Sequence, residues 1–193
     1  MKGGNIDIRL WLGLRFEDLV SLLRELINRQ KDNFILHGIF PKWDIAEQCV
    51  YVLTDRKWNS LLLEQLLSNA IKYTSGRQDT KEVSFRMERE RERVRLIVTD
   101  TGIGIPEYDL SRVWEPFFTG ENGRKVRSAT GLGLYIVRSI AEHLNHPVAL
   151  ASTAGRGTTV TVDYQTLASA GGTRTQDLNS LLAVRHLPNE IVR

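Results

Sequence analysis

One cysteine, Cys49, stands in 193 residues, so no internal disulfide forms and no cysteine-cluster metal site can be built. A lone thiol is expected to pack as a small apolar group in a reducing compartment, which points to the cytoplasm. Long hydrophobic runs are missing too. The longest fall far short of a bilayer crossing, and the N-terminus lacks the basic-then-apolar order of a secretion signal. Nor does one sign of charge dominate. Lys and Arg number 26 against 23 Asp and Glu, and the densest charged run alternates Glu88, Arg89, Glu90, Arg91, Glu92 and Arg93. Phosphate-tracking faces cluster cations of one sign, so this run reads as a solvated hairpin and nucleic acid is not expected as a partner. What is left is a length suited to one cored domain with tails.

The most informative stretch present is Thr99-Asp100-Thr101-Gly102-Ile103-Gly104-Ile105-Pro106. Val94, Leu96 and Val98 alternate with Arg93, Arg95 and Ile97, so a strand delivers a carboxylate into a glycine turn. A buried strand-end Asp can accept from a ligand amino group or cap its own turn, and this stretch alone does not separate the two. Upstream, residues 1–15 show no clear period and are left as an upstream remnant. Phe16, Leu19, Val20, Leu23, Leu26 and Ile27 recur at three and four, which predicts an amphipathic helix from 16 to about 33. Residues 34–53 read as irregular or short strands, with 50–53 the better strand candidate.

Asp55 opens a long helical pattern through Tyr73. At about 100° per residue, Leu63, Leu66, Leu67, Ala70 and Ile71 share one half, while Gln65, Asn69 and Lys72 fall in a wedge of roughly 60° with Tyr73 beside it. Aligned amides and an ammonium suit a metal or phosphate oxygens, and also an ordinary solvent face. Residues 83–87 and 93–100 read as adjacent antiparallel strands, 109–113 as a short helix, and Phe117-Phe118 as an aromatic core plug or the anchor of a mobile loop. Residues 120–130 are almost free of apolar side chains and carry Arg124, Lys125 and Arg127, which predicts a mobile cationic loop. It runs into Thr130-Gly131-Leu132-Gly133-Leu134, a glycine-rich helix start suited to anions or to close packing. Strands at 148–151 and 158–164 flank a turn at Gly155-Arg156-Gly157, and residues 165–193 read as a linker and a weak helix or disordered tail.

Four segments in fixed order resemble the N, first glycine, F and second glycine boxes of bacterial sensor histidine kinases. They are the helix segment Gln65 to Thr74, Asp100-Thr101-Gly102-Ile103-Gly104, Trp114-Glu115-Pro116-Phe117-Phe118 and Thr130-Gly131-Leu132-Gly133-Leu134. Gly155-Arg156-Gly157-Thr158-Thr159 resembles the closing Gly-x-Gly-Thr of the same ATP-binding domain. Asp55-Arg56-Lys57-Trp58 and the segment from Phe118 to Lys125 are similar, more narrowly, to intramembrane-sensing kinases that work with peptide-antibiotic transporters.

The resemblance implies an α+β fold, a two-layer sandwich of a mixed sheet with helices on one face (the Bergerat ATP-binding fold), over residues 16–164. It implies ATP and Mg²⁺ as cofactors. Asp100 would take the adenine amino group with Thr159 nearby, and Gly102, Gly104, Ile105 and Phe118 would shape the pocket. Asn69 would hold Mg²⁺, Lys72 would meet phosphate oxygens, and Tyr73 would line base or ribose. Gly131, Leu132, Gly133 and Leu134 would cradle phosphates beside a lid from 120 to 130 that includes Arg127 and Thr130. Gln65 stands where many such kinases have Asn, and its metal- or water-positioning role is open.

The implied partners are a histidine-bearing dimerisation domain, a response regulator and, through a membrane-bound homodimeric parent, a transporter. His37, His143, His146 and His186 lack the acidic, arginine and proline surroundings of a phosphoaccepting histidine, so each is expected to serve packing or the surface. A nucleotide-sensing module of the same fold without kinase activity is the alternative. A P-loop is excluded by the absence of Gly-x-x-x-x-Gly-Lys-Ser/Thr.

Overall fold

The computed structural model describes residues 14–76, 79–90, 92–120 and 129–166. The chain enters through a short strand, β1 (Arg15–Asp18), followed by two helices, α1 (Leu19–Arg29) and α2 (Lys31–His37). Strands β2 (Phe40–Asp44) and β3 (Tyr51–Thr54) lead into the long helix α3 (Arg56–Ser75). The hairpin β4 (Glu82–Glu90) and β5 (Arg93–Asp100), a single turn α4 (Glu107–Leu110), helix α5 (Gly133–His143) and the hairpin β6 (Val148–Thr153) and β7 (Gly157–Gln165) complete it.

The sheet runs β2-β4-β5-β7-β6, and only the β2–β4 pair is parallel. β5 is therefore central, with its C-terminal Asp100 opposite Val83 on one side and Thr158 on the other. The inward side chains Val83, Phe85, Val94, Leu96, Val162 and Tyr164 are all buried. They meet Leu62, Leu63, Leu66 and Leu67 of α3 and Leu19, Leu22, Leu23 and Leu26 of α1, giving an α+β sandwich with one apolar core.

Three expectations are corrected. Phe16 does not begin the first helix; it pairs with Leu53 in a two-stranded antiparallel ribbon of β1 and β3. The helix starts after Asp18, whose carboxylate accepts from the N–H of Val20 at 3.2 Å and also from the N–H of Val50 at 2.9 Å, besides bonding the Ser21 hydroxyl. One cap thus fixes a helix and a strand together, which leaves Phe16 no room to be helical. Nor does one helix run to about 33. It breaks at Gln30 and a second helix continues until Gly38 turns left-handed at φ 62°. Residues 34–37, read as irregular or short strand, belong to that second helix, whereas 40–44 form a short edge strand as that reading allowed; Pro41 is tolerated because no further strand pairs beyond it among the described residues.

α3 begins where the sequence places it, with Asp55 accepting from the N–H of Trp58 at 2.9 Å. Beneath its first turns lies a polar knot: Tyr164 donates to Asn59 Oδ1 at 2.9 Å, and His146 Nε2 lies 2.9 Å from the hydroxyl of Thr54. The strands read at 83–87, 93–100, 148–151 and 158–164 hold their places. Residues 121–128 and 167–193, which carry most of the expected mobile loop and tail, lie outside the described residues.

Replacing a capping carboxylate by Ala costs about 1 kcal/mol, and a carboxylate that also bonds a distant amide costs more. Asp18→Ala should therefore lower stability by about 2 kcal/mol and Asp55→Ala by about 1 kcal/mol in urea titrations. Equal losses at the two sites would show that the Asp18–Val50 bond contributes nothing.

Candidate functional site

α3, α5 and the strand ends of the sheet enclose a cavity. The polar wedge of α3 faces it, so Gln65, Asn69, Lys72 and Tyr73 all line it. Val98 and Val160 form its apolar floor from β5 and β7 because they share the inward parity of their strands, and Leu150 of β6 joins them. Thr130, Gly131, Gly133 and Leu134 close one end, Ile105 and Phe118 the side.

Asp100, 8% exposed, sits at the end of β5 in this wall. Its Oδ1 accepts from the N–H of Gly102 at 2.8 Å and of Thr158 at 3.3 Å. Both bonds fall on one oxygen, so Oδ2 has no partner among the described residues. Burial raises the carboxyl from its ordinary 3.8 to about 6, against the opposing pull of the two backbone amides. The site tolerates nothing bulkier at its glycines. A Cβ on Gly157, at φ +112°, would come within 1.9 Å of the Asp100 carbonyl oxygen, and one on Gly102 within 2.7 Å of both Asp100 Oδ1 and the Tyr73 carbonyl.

At the other end, a Cβ on Gly133 would lie 2.9 Å from Asn69 Oδ1, so the amide abuts the opening of α5. The Lys72 ammonium stands 5.3 Å from the centre of the Tyr73 ring. Burial lowers the Lys72 pKa and raises that of Tyr73. Among the described residues no cluster of three His, Cys, Asp or Glu could hold a metal ion. The Asn69 amide oxygen is a ligand type that suits Mg²⁺, which keeps waters and takes substrate phosphates for its other positions.

Several residues expected at the site do not line the cavity itself, although Gly102 adjoins it by holding Asp100. Gly102, Gly104, Leu132 and Thr159 do not line the cavity. Gly104 is a close-packing position: a Cβ there would come within 2.0 Å of the Thr153 carbonyl oxygen. Thr159 faces the opposite side of the sheet, its hydroxyl 3.0 Å from that of Thr99, and strand alternation gives its place to Thr158. Arg127 lies outside the described residues. The aromatic pair is split and is no core plug: Phe117, at φ 63°, is 74% exposed, whereas Phe118 lines the cavity. Thr158 and the buried Asp109 went unread; counting back by twos from Tyr164 and Val162 would have found the first.

Residues 54–167 match the family of histidine kinase-, DNA gyrase B- and HSP90-like ATPases. The sensor histidine kinase YxdK of Bacillus subtilis is 37% identical over 148 residues, 77% of this chain and 45% of that protein. The sensor protein BceS of Halalkalibacterium halodurans is 36% identical over 76% of this chain and 42% of its own length. The chain thus spans under half the length of these relatives. The catalytic domain of the histidine kinase ThkA superposes with a TM-score of 0.68 at 23% identity, covering 79% of this chain and 95% of that domain, which establishes the shared fold. Full-length ShkA, solved with AMPPNP, gives a TM-score of 0.64 at 24% identity, over 81% of this chain and 32% of ShkA. With the strand-end carboxylate, the amide stripe of α3 and the glycine-opened α5 in one cavity, this chain belongs to the histidine kinase-, DNA gyrase B- and HSP90-like ATPase family, as a homologue of sensor histidine kinase catalytic domains.

Proposed function

We propose that residues 16–164 bind ATP with Mg²⁺ and transfer its γ-phosphoryl group to a histidine on a separate dimerisation domain, as the catalytic domain of a sensor histidine kinase. The observation that carries this reading is Asp100, a buried acid with one oxygen committed to the backbone and one uncommitted. An adenine amino group supplies the donor that Oδ2 lacks, and the apolar surfaces of Val98, Ile105, Leu150 and Val160 suit a flat ring.

The phosphates then extend towards α5. Its first backbone N–H groups and the Lys72 ammonium favour anions, and residues from Thr130 to Leu134 would cradle them. Asn69 would hold Mg²⁺, whose charge neutralises and bridges phosphate oxygens. Gln65, on the same stripe, would position water or metal, and Tyr73 would line base or ribose. Transfer needs alignment and charge neutralisation more than a protein nucleophile, so none is required of the cavity.

The acceptor would come from elsewhere. His146 is 3% exposed and bonded to Thr54, and burial lowers its pKa to about 4. ThkA has been solved in complex with the response regulator TrrA, and an analogous regulator is the expected phosphate recipient downstream here. The parent is inferred to be a homodimeric membrane kinase, linked to a transporter, with this part in the cytoplasm; no helix among the described residues is long and apolar enough to cross a membrane.

Titration calorimetry with MgATP tests the site. Asp100→Asn and Asn69→Ala should each weaken binding by about tenfold or more, the scale of one lost charge-assisted bond. Wild-type affinity in both variants would remove the assignment. With γ-labelled ATP the chain alone should stay unlabelled and should label an added histidine-bearing dimerisation fragment of its parent; tight binding without transfer would make it a nucleotide-sensing module.

Stability gives an independent check. Because burial raises the folded pKa of Asp100, the native state holds that proton more tightly than the unfolded chain, and stability falls as pH rises from about 4 to 6. An Asn keeps the acceptor oxygen and removes the ionisation. Asp100→Asn should gain on the wild type by up to about 3 kcal/mol between pH 4 and pH 7. A pH-independent difference in urea midpoints would mean that the carboxyl is ordinary.

A further inference from the structure

Between the first glycine turn and the cavity side wall, the backbone climbs in steps of three. The N–H of Asp109 bonds the carbonyl of Pro106 at 3.0 Å, Arg112 bonds Asp109 at 3.0 Å, Glu115 bonds Arg112 at 2.9 Å and Phe118 bonds Glu115 at 3.4 Å. The turns bring Arg112 against both Glu115 and Phe118. The Arg112 guanidinium stacks over the Phe118 ring at 4.4 Å. Its other side is tied to Glu115, with Nε at 3.0 Å and Nη2 at 2.9 Å from the same Oε2. At the far end Asp109 meets Gly120 so closely that a Cβ on Gly120 would lie 2.7 Å from Asp109 Oδ2. Phe118 and Asp109 line the cavity; Arg112 and Glu115 do not.

We propose that Arg112, clamped by Glu115, is a positioning residue for nucleotide: it backs the Phe118 ring from outside and holds it as a wall of the cavity. Both partners of the ion pair are about half exposed, so the pair itself adds little to folding. The placement has its value through Phe118. An aromatic ring held from behind by a planar cation loses the freedom to swing out, and a base that packs against it meets a formed surface. The inference rests on the nucleotide reading of the cavity and adds a residue outside it.

The experiment is a double-mutant cycle on the full chain, with MgATP affinity and thermal midpoint measured for Arg112→Met, Phe118→Ala and the double variant. Arg112→Met should weaken MgATP about fivefold, in keeping with the loss of one stacked cation. In the Phe118→Ala background the same change should have no further effect, because Arg112 acts through the ring, and Arg112→Lys should recover part of the loss. Arg112→Met should lower the thermal midpoint less in the Phe118→Ala background than in the wild type, because the stacked contact is then already gone. Unchanged affinity in Arg112→Met, or an equal loss with and without Phe118, overturns the positioning role. A wild-type chain that binds no MgATP overturns the function proposed above, and this inference with it.

Discussion

An acid buried against apolar strands is costly unless donors meet it, and most of the architecture around Asp100 exists on those terms. One donor is local, the Gly102 amide; the other, Thr158, comes from the strand that β5 must pair with in the middle of the sheet. Gly157 and Gly102 are open so that β7 and the backbone of Tyr73 can close on the carboxylate. The result is an oxygen pair with unequal duties, one fixing the fold and one facing the cavity.

The same division recurs in α3. Its leucines settle the helix on the sheet while the opposite stripe supplies an amide and an ammonium to the cavity. The helix can carry polar groups inward at one end because its other contacts are saturated with apolar area. The knot of Asn59, Tyr164, Thr54 and His146 is only partly satisfied: among the described residues Asn59 Nδ2 and His146 Nδ1 have no hydrogen-bond partner, and neither has Thr74 Oγ1 at the far end of α3. Buried groups of this kind lower stability, and the broad leucine layer offsets them.

Much of this was legible in the sequence. Alternation gave β4, β5 and β7, the angular count on α3 separated core from cavity, and glycine pairs marked both turns that frame the site. The failures share a cause, which is that local period is silent about distant partners. Phe16 fits a helical face, yet Asp18 spends its carboxylate on Val50, 32 residues away, and turns the preceding residues into a strand. Pro41 weakens any strand reading unless the strand is known to lie at an edge. Thr159 and Thr158 differ by one residue in a strand of period two, so a motif aligned by letters put the wrong hydroxyl in the cavity. Phe117 and Phe118 look equivalent in sequence; a left-handed φ at the first sends them to opposite environments.

The bond from Thr158 to Asp100 spans 58 residues, and the β5–β7 ladder that carries it is one of the least local pairings in the chain. Loop closure of that length is slow compared with forming a hairpin such as β4–β5. Until β7 pairs with β5, Asp100 has one amide and no opposing wall, so the cavity exists only where that distant pairing is made. A ligand that needs both walls is matched only by the paired sheet, and by mass action it would stabilise that pairing over the open chain.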